Sequence, residues 1–148
     1  KRGNEVIQWQ TPSGFKVNQK RNKYDSIRLD LQLLGRCSFS VVDKDKGPDP
    51  RKHKSSGAPN LIHSLDASLL HLTFQQFDVP FSVIHDSVLC RATDMYLLSC
   101  IVRKTYATIF ADHDFIHDFA RQIGAETEPP IIGDLKPESV IDSTYFFC

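Results

Sequence analysis

The sequence predicts an α+β fold built from antiparallel hairpins and about three to four helices. Three observations carry that expectation. Apolar and polar residues alternate with period two through the first third of the chain, apolar residues recur at helical spacing from Pro59 onward, and the two patterns are segregated along the sequence. Segregation favours antiparallel hairpins beside helices over a βαβ parallel sheet. At 148 residues the chain is long enough for one ordinary core, or for one piece of a larger domain.

Each element follows from a local signal. Val6 to Trp9 reads as a short strand, and Thr11-Pro-Ser-Gly14 as a type I turn with proline second and glycine fourth. Phe15, Val17 and Gln19 continue in alternation. From Ser26 to Leu34, Ile27, Leu29, Leu31 and Leu33 share one face while Arg28, Asp30 and Gln32 share the other. Gly35-Arg36 supplies a turn, and Cys37 to Val42 returns with Phe39 and Val41 opposite Ser38 and Ser40, completing a hairpin with a polar face. Residues 44–54 hold two prolines and mixed charge and read as a loop.

A helix is expected from Pro59, with Ile62, Leu65, Leu69 and Leu72 as its apolar stripe, Pro59 in its first turn and an end before Val79-Pro80. His63 and Asp66 lie three apart on a neighbouring face. Phe81 to Ile84 reads as a buried strand, with His85 and Asp86 on alternate sides if the backbone stays extended. A lone ionised carboxylate in a dry core costs several kcal/mol, so either a cation sits beside Asp86 or the strand is less buried than its composition suggests. Thr93 or Asp94 can cap a second helix with Leu98, Ile101, Val102, Thr105 and Ile109 on its core face. A third, from about Asp114, is expected to bury Phe115, Ile116, Phe119 and Ile123 and to stop at Gly124. Glu128-Pro-Pro-Ile is a stiff linker, and one or two helical turns follow Pro137.

Net charge is zero, but residues 1–54 carry 13 Lys plus Arg against 6 Asp plus Glu, and residues 55–148 carry 5 against 12. A basic third and an acidic remainder suit a phosphate backbone and a divalent metal, respectively; two differently charged solvated faces are the competing explanation. Cys37, Cys90, Cys100 and Cys148 have no zinc-ligand spacing, three of them sit among apolar residues as small core side chains, and a reducing compartment fits best. There is no apolar run long enough to span a bilayer and no signal-peptide pattern, so no membrane role is expected. The chain opens Lys-Arg-Gly-Asn and its one methionine is Met95, from which a missing natural start is expected.

Several stretches, ordered along the chain, resemble the single-subunit DNA-dependent RNA polymerases of bacteriophages, mitochondria and plastids. Trp9-Gln-Thr-Pro-Ser-Gly-Phe15 with Val17 and Gln19 is similar to that family's W-x-T-P-x-G-F-x-V-x-Q. Ala58 to Ser68 is similar to its P-N-x-[IV]-H-S-x-D-[AGS]-S, and Ile84-His-Asp-Ser87 to its metal-binding polymerase motif; the aromatic end, Tyr145-Phe-Phe-Cys148, also fits. The resemblance implies the C-terminal palm and fingers portion of a right-hand polymerase fold. In that scheme residues 1–50 hold strands and a promoter specificity hairpin, 51–80 the helix with the His-Ser-x-Asp motif, 81–92 the metal-binding strand motif and 93–148 a helical region.

The resemblance implies template-directed nucleotidyl transfer with two Mg²⁺ ions about 4 Å apart, one ligand set being absent from this chain. Asp86 would ligate metal, and with His85 is a candidate catalytic residue; an Asx turn at Asp86 and a core role for His85 are the structural alternatives. His63 would reach the minor-groove side of the RNA·DNA hybrid, unless it is a surface histidine paired with Asp66. Arg28, Asp30, Ser38 and Ser40 would read promoter bases from the hairpin, and Gln19 is carried with the nucleic-acid contacts. The basic clusters Lys16, Lys20, Arg21, Lys23 and Arg51, Lys52, Lys54 are candidate phosphate contacts or simply solvated. Phe147 and Cys148 would place a C-terminal group near the active site. Where many relatives carry a second histidine, this chain has Leu69, with His71 two places later, and Val88, Leu89 and Cys90 depart from the usual residues after the metal motif.

Implied partners are template and promoter DNA, the RNA transcript, ribonucleoside triphosphates and the polymerase's N-terminal remainder, without which the chain is expected to be inactive. The setting would be a bacterial host cytoplasm if phage-encoded, or otherwise a mitochondrion or plastid. A fragment of a family A DNA polymerase and a non-catalytic DNA-binding module are the rival readings. Ser87 argues against the first, because that family carries glutamate after His-Asp.

Overall fold

The computed structural model describes residues 6–32, 37–131 and 133–146. The expected strand end at Leu33 and Leu34, the Gly35-Arg36 turn, Phe147 and Cys148 lie outside the described residues. Among the described residues, six strands pair as three separate two-stranded sheets: β1 (Ile7–Gln10) with β2 (Lys16–Gln19), β3 (Asn22–Leu31) with β4 (Cys37–Pro48), and β5 (Phe81–Ile84) with β6 (Ser87–Cys90). Among the described residues, α1 (Pro50–Phe74) lies between β4 and β5, and α2 (Met95–Asp112) and α3 (Phe115–Ile123) follow β6. Mixed helices and antiparallel hairpins agree with the expected α+β class.

The chain divides into two compact units: Asn18–Pro59 with the segment ending at Ile7, and Gln8–Val17 with the chain from Asn60. The first unit is dominated by the β3–β4 ribbon. Its register sets Arg28 opposite Ser40 and Asp30 opposite Ser38 on one face, and Ile27 opposite Val41 and Leu29 opposite Phe39 on the other. The alternation is therefore real, yet Ile27, Leu29, Leu31, Phe39 and Val41 all stay exposed, because a two-stranded ribbon has no second layer of its own. The ribbon also runs further than expected. β4 continues to Pro48 through irregular register near Tyr24, and Gly47, at φ 84°, gives its N–H to Asp45 Oδ1 at 2.8 Å. That backbone donor, helped by Asn22 Nδ2 at 2.5 Å, holds the Asp45 carboxyl below the usual range.

The loop expected over residues 44–54 is thus the end of β4 and the start of α1. Asp49 caps the helix, accepting from the N–H groups of Arg51 at 3.0 Å and Lys52 at 3.1 Å, with Pro50 at the first helical position. Pro59 consequently sits inside α1 and not in its first turn. There it leaves one helical carbonyl without its i+4 donor, at the position where the chain divides between the units.

The second unit holds the core, Trp9, Phe77, Leu98, Ala107 and Ile109. Trp9 meets Phe119 edge-on at 5.4 Å, and its indole N–H donates to Ser64 Oγ at 3.1 Å. The Thr11–Gly14 turn closes as expected, Gly14 N–H donating to Thr11 O at 2.9 Å with φ 83° at the glycine. α2 begins after a short 3₁₀ turn, Ala92–Asp94, but neither Thr93 nor Asp94 caps it by a side chain; the Asp94 carboxylate is taken by Arg91 Nε at 2.7 Å. Leu98, Thr105 and Ile109 are buried as expected, with Ile101 and Val102 partly so.

α3 matches its signals. Asp114 accepts from the His117 N–H at 3.1 Å, which holds its carboxyl below the usual range, and Gly124 ends the helix in the left-handed conformation. Burial of its apolar face is only partial, and Ile116 is exposed. After the 3₁₀ turn Pro137–Val140, Arg103 of α2 gathers the tail, donating to Val140 O at 2.7 Å and Ser143 O at 2.6 Å beneath the Phe146 ring. The described cysteines are free; Cys37 is exposed and Cys90 and Cys100 are half-buried, at the margin of the core and not deep within it. Among the described residues no helix is long and apolar enough to cross a membrane.

Trp9 is buried to 4 % exposure and also hydrogen-bonded. Trp9→Ala should therefore lower stability by about 3–5 kcal/mol in a urea titration, and Trp9→Phe by clearly less.

Candidate functional site

α1 presents His63, Asp66, Ala67, Leu70, His71 and Phe74 at successive three- and four-residue steps, one stripe along the helix. Val83 of β5 and the loop residues His85 and Asp86 complete a cleft of about 630 Å³ against that stripe. Three imidazoles and two carboxylates thus share a cavity whose remaining wall is Ala67, Leu70, Phe74 and Val83. His63 and Asp86, recognised in two separate motifs, are both part of it.

Two expectations about Asp86 need correction. β5 is not a buried strand: all four of its residues are exposed. The reason is topological, since β5 has only β6 beside it, with Ile84 opposite Ser87 and Phe81 opposite Cys90. His85 and Asp86 do not alternate on an extended backbone either. They form the two-residue loop of this hairpin, and His85 takes a left-handed conformation at φ 56°. Tight hairpin loops need positive φ, and histidine tolerates it better than most side chains. The bend brings both side chains to the same cleft. Asp86 is exposed, so water solvates its charge here.

Among the described residues no group of three or more His, Cys, Asp or Glu side chains is arranged to hold a metal ion. Asp86 offers hard oxygen ligands suited to magnesium, but these residues alone do not complete a centre for it. His63 and Asp66 are both exposed and form no ion pair among the described residues.

The hairpin residues come together on the polar face of β3–β4. Arg28 Nη2 donates to Ser38 Oγ at 3.2 Å, Ser38 Oγ donates to Asp30, and Arg28 Nε lies 3.6 Å from Asp30 Oδ1. Ser40 shares that face opposite Arg28. The Arg28 and Asp30 side chains are 69 % and 50 % exposed, so their pairing is weak and open to exchange for another partner. Gln19 is placed differently: it is buried, and its amide donates to His53 O at 3.2 Å and meets His53 Nδ1 at 3.3 Å. His53, which sequence reasoning passed over, also accepts from the Arg21 N–H at 3.3 Å. Its signal was available in the Asp49-Pro50 helix start just before it.

His71, noted in the sequence without a role, is placed in the same cleft. Its Nδ1 lies 3.2 Å from Ser13 Oγ and its ring packs 6.3 Å from Phe15, tying the cleft to the Thr11–Gly14 turn. A second cleft, about 330 Å³, lies along Trp9, Gln10, Leu61, Phe119 and Gln122. Gln122 there pairs with the Gln10 backbone, accepting from its N–H at 2.6 Å and donating to its carbonyl at 3.3 Å.

Comparison with known sequences resolves the class of this α+β chain, whose cleft brings together a histidine and an aspartate from two separate motifs. Residues 1–139 match the family described as DNA-dependent RNA polymerase. The DNA-directed RNA polymerase of Pseudomonas phage phiKMV is 31 % identical over 145 residues, covering 96 % of this chain and 18 % of the phage protein. DNA-directed RNA polymerase 3B, chloroplastic, of Nicotiana tabacum is 28 % identical over 154 residues (97 % and 15 %). DNA-directed RNA polymerase 2, chloroplastic/mitochondrial, of Arabidopsis thaliana is 29 % identical over 154 residues (97 % and 15 %). The chain belongs to the phage-type, single-subunit DNA-dependent RNA polymerase family. It spans less than a fifth of the length of these relatives.

Gln19→Ala would leave the buried His53 without its amide partner. A loss of about 1–3 kcal/mol in urea denaturation is expected.

Proposed function

We propose that this chain is the C-terminal part of a single-subunit DNA-directed RNA polymerase and serves template-directed nucleotidyl transfer once joined to the segments its relatives carry upstream. The observation that supports this most is the shared cleft of His63 and Asp86. In this reading Asp86 is one carboxylate of a two-metal site, and the partner aspartate comes from outside the chain. Magnesium, when bound, would acidify the transcript's 3′-hydroxyl and hold the triphosphate. The chain's own contribution is positional: the hairpin loop presents Asp86, and α1 sets His63 beside it toward the RNA·DNA hybrid. His85 braces the loop in its left-handed conformation.

The β3–β4 ribbon is the promoter-reading element, entering the major groove with Arg28, Asp30, Ser38 and Ser40 foremost. The hairpins and helices form the later palm and the fingers-side scaffold, with DNA, transcript and ribonucleoside triphosphates as partners. Exposed Ile27, Leu29 and Phe39 on the ribbon, and Val83, Ile84 and Leu89 on the β5–β6 hairpin, are surfaces for the rest of the polymerase to cover. A bacterial host cytoplasm is the proposed setting for a phage-encoded enzyme, and a mitochondrion or plastid for an organellar one.

The test is reconstitution with a segment bearing the other aspartate, followed by ribonucleotide addition to a primed template. Asp86→Asn should slow addition by roughly 10²–10³-fold or more while hybrid binding persists. Wild-type rates for the variant, or no addition by the unsubstituted pair, would reject the proposal. In the same system Arg28→Ala should weaken promoter-specific initiation by about 1–3 kcal/mol and spare extension of a preassembled hybrid. Equal losses in both assays would remove the hairpin from promoter reading.

A further inference from the structure

The hydroxyl network behind His71 fixes which of its ring nitrogens carries the proton. Ser68 Oγ donates to Ser64 O at 2.7 Å, so its oxygen is left to accept, and it does so from Ser13 Oγ at 3.3 Å. Ser13 has then spent its one hydrogen. Its oxygen can only accept from its two other neighbours, Thr11 Oγ1 at 3.0 Å and His71 Nδ1 at 3.2 Å. His71 therefore carries its proton on Nδ1, and Nε2 keeps a lone pair. No partner for Nε2 is found among the described residues. Phe15, 6.3 Å from the imidazole, further limits the ring, which lines the same cleft as His63 and Asp86.

An acceptor lone pair in a cleft that also holds Asp66 and Asp86 repels phosphate oxygens. It fits a hydroxyl or amino donor. Amino groups occur only on some bases, whereas a ribose 2′-hydroxyl occurs at every RNA position and at none in DNA. Resting on the polymerase reading above, we propose that His71 Nε2 accepts a hydrogen bond from a 2′-hydroxyl of the transcript strand and so makes His71 a specificity-determining residue for RNA over DNA ends. Ser13 and Thr11 are positioning residues that set its tautomer.

Two measurements test this. Nitrogen-15 NMR of the 148-residue chain should show a protonated, pyrrole-type Nδ1 and an unprotonated, pyridine-type Nε2 at His71, changing to an averaged pattern in Ser13→Ala. The opposite tautomer, or no response to Ser13→Ala, overturns the assignment. In the reconstituted polymerase, His71→Ala should slow extension of an RNA primer about three- to tenfold, the worth of one hydrogen bond, and leave the matching 2′-deoxy primer unchanged. His71→Gln, whose Oε1 can accept in place of Nε2, should recover part of the loss. Equal slowing of both primers, or of neither, overturns the proposal while the polymerase reading stands. If the unsubstituted protein extends no primer, the polymerase reading falls and takes this proposal with it.

Discussion

The joint on which the cleft depends is the fastening of the Thr11–Gly14 turn to α1 through serine hydroxyls. Ser64 and Ser68 are one helical turn apart, and each uses its own hydrogen on a helix carbonyl, Leu61 O and Ser64 O, both at 2.7 Å. Their oxygens are then committed to accepting, one from the Trp9 indole N–H and the other from the Ser13 hydroxyl. Two stretches that looked like separate signatures in the sequence, Trp9 to Phe15 and Ala58 to Ser68, thus form a single mechanical unit. One face of α1 grips the turn, and the adjoining stripe with His63, His71 and Phe74 is left to line the cleft.

Where geometry repeats locally, the sequence was a sufficient guide. The polar face of β3–β4 follows from strict alternation, and α3 from an Asp114 cap and a Gly124 stop. α1 shows the opposite case. Proline is so unfavourable inside a helix that Pro59 invites a boundary, and Gly57 with Ser55 and Ser56 lowers helical propensity just before it. The helix starts earlier because Asp49 supplies two capping bonds and Pro50 suits the first position, a local signal that outweighs the interior proline. Asp49-Pro50 could have been read as a start, although the basic residues that follow it oppose the helix dipole.

Burial was less legible than secondary structure, because composition reports what a strand could bury and not whether a second layer exists. Phe81, Val83 and Ile84 are apolar enough for a core strand, yet each is at least 39 % exposed. Phe74 and Phe77 cover only part of Phe81, one by stacking at 3.9 Å and the other at 6.1 Å. The candidate site divides the same way. His63 and Asp86 were named from motifs, whereas His71 acquires its place through Ser13 and Phe15, residues far from it in the chain.

The hairpin loop also resolves how a carboxylate comes to stand in an apolar stretch. On a buried strand Asp86 would need a cation merely for the protein to fold, since an unpaired charge in a dry interior costs several kcal/mol. On an exposed two-residue loop that requirement disappears, and the hairpin can fold with the Asp86 carboxylate solvated by water. The cost moves to the backbone, where a histidine adopts a left-handed conformation at φ 56°, a strain of order 1–2 kcal/mol that a glycine would avoid. A glycine there would relax the backbone but leave the cleft without one of its imidazoles. Keeping a side chain at that position is the arrangement expected if the loop is shaped for the cleft and not for the stability of the hairpin alone.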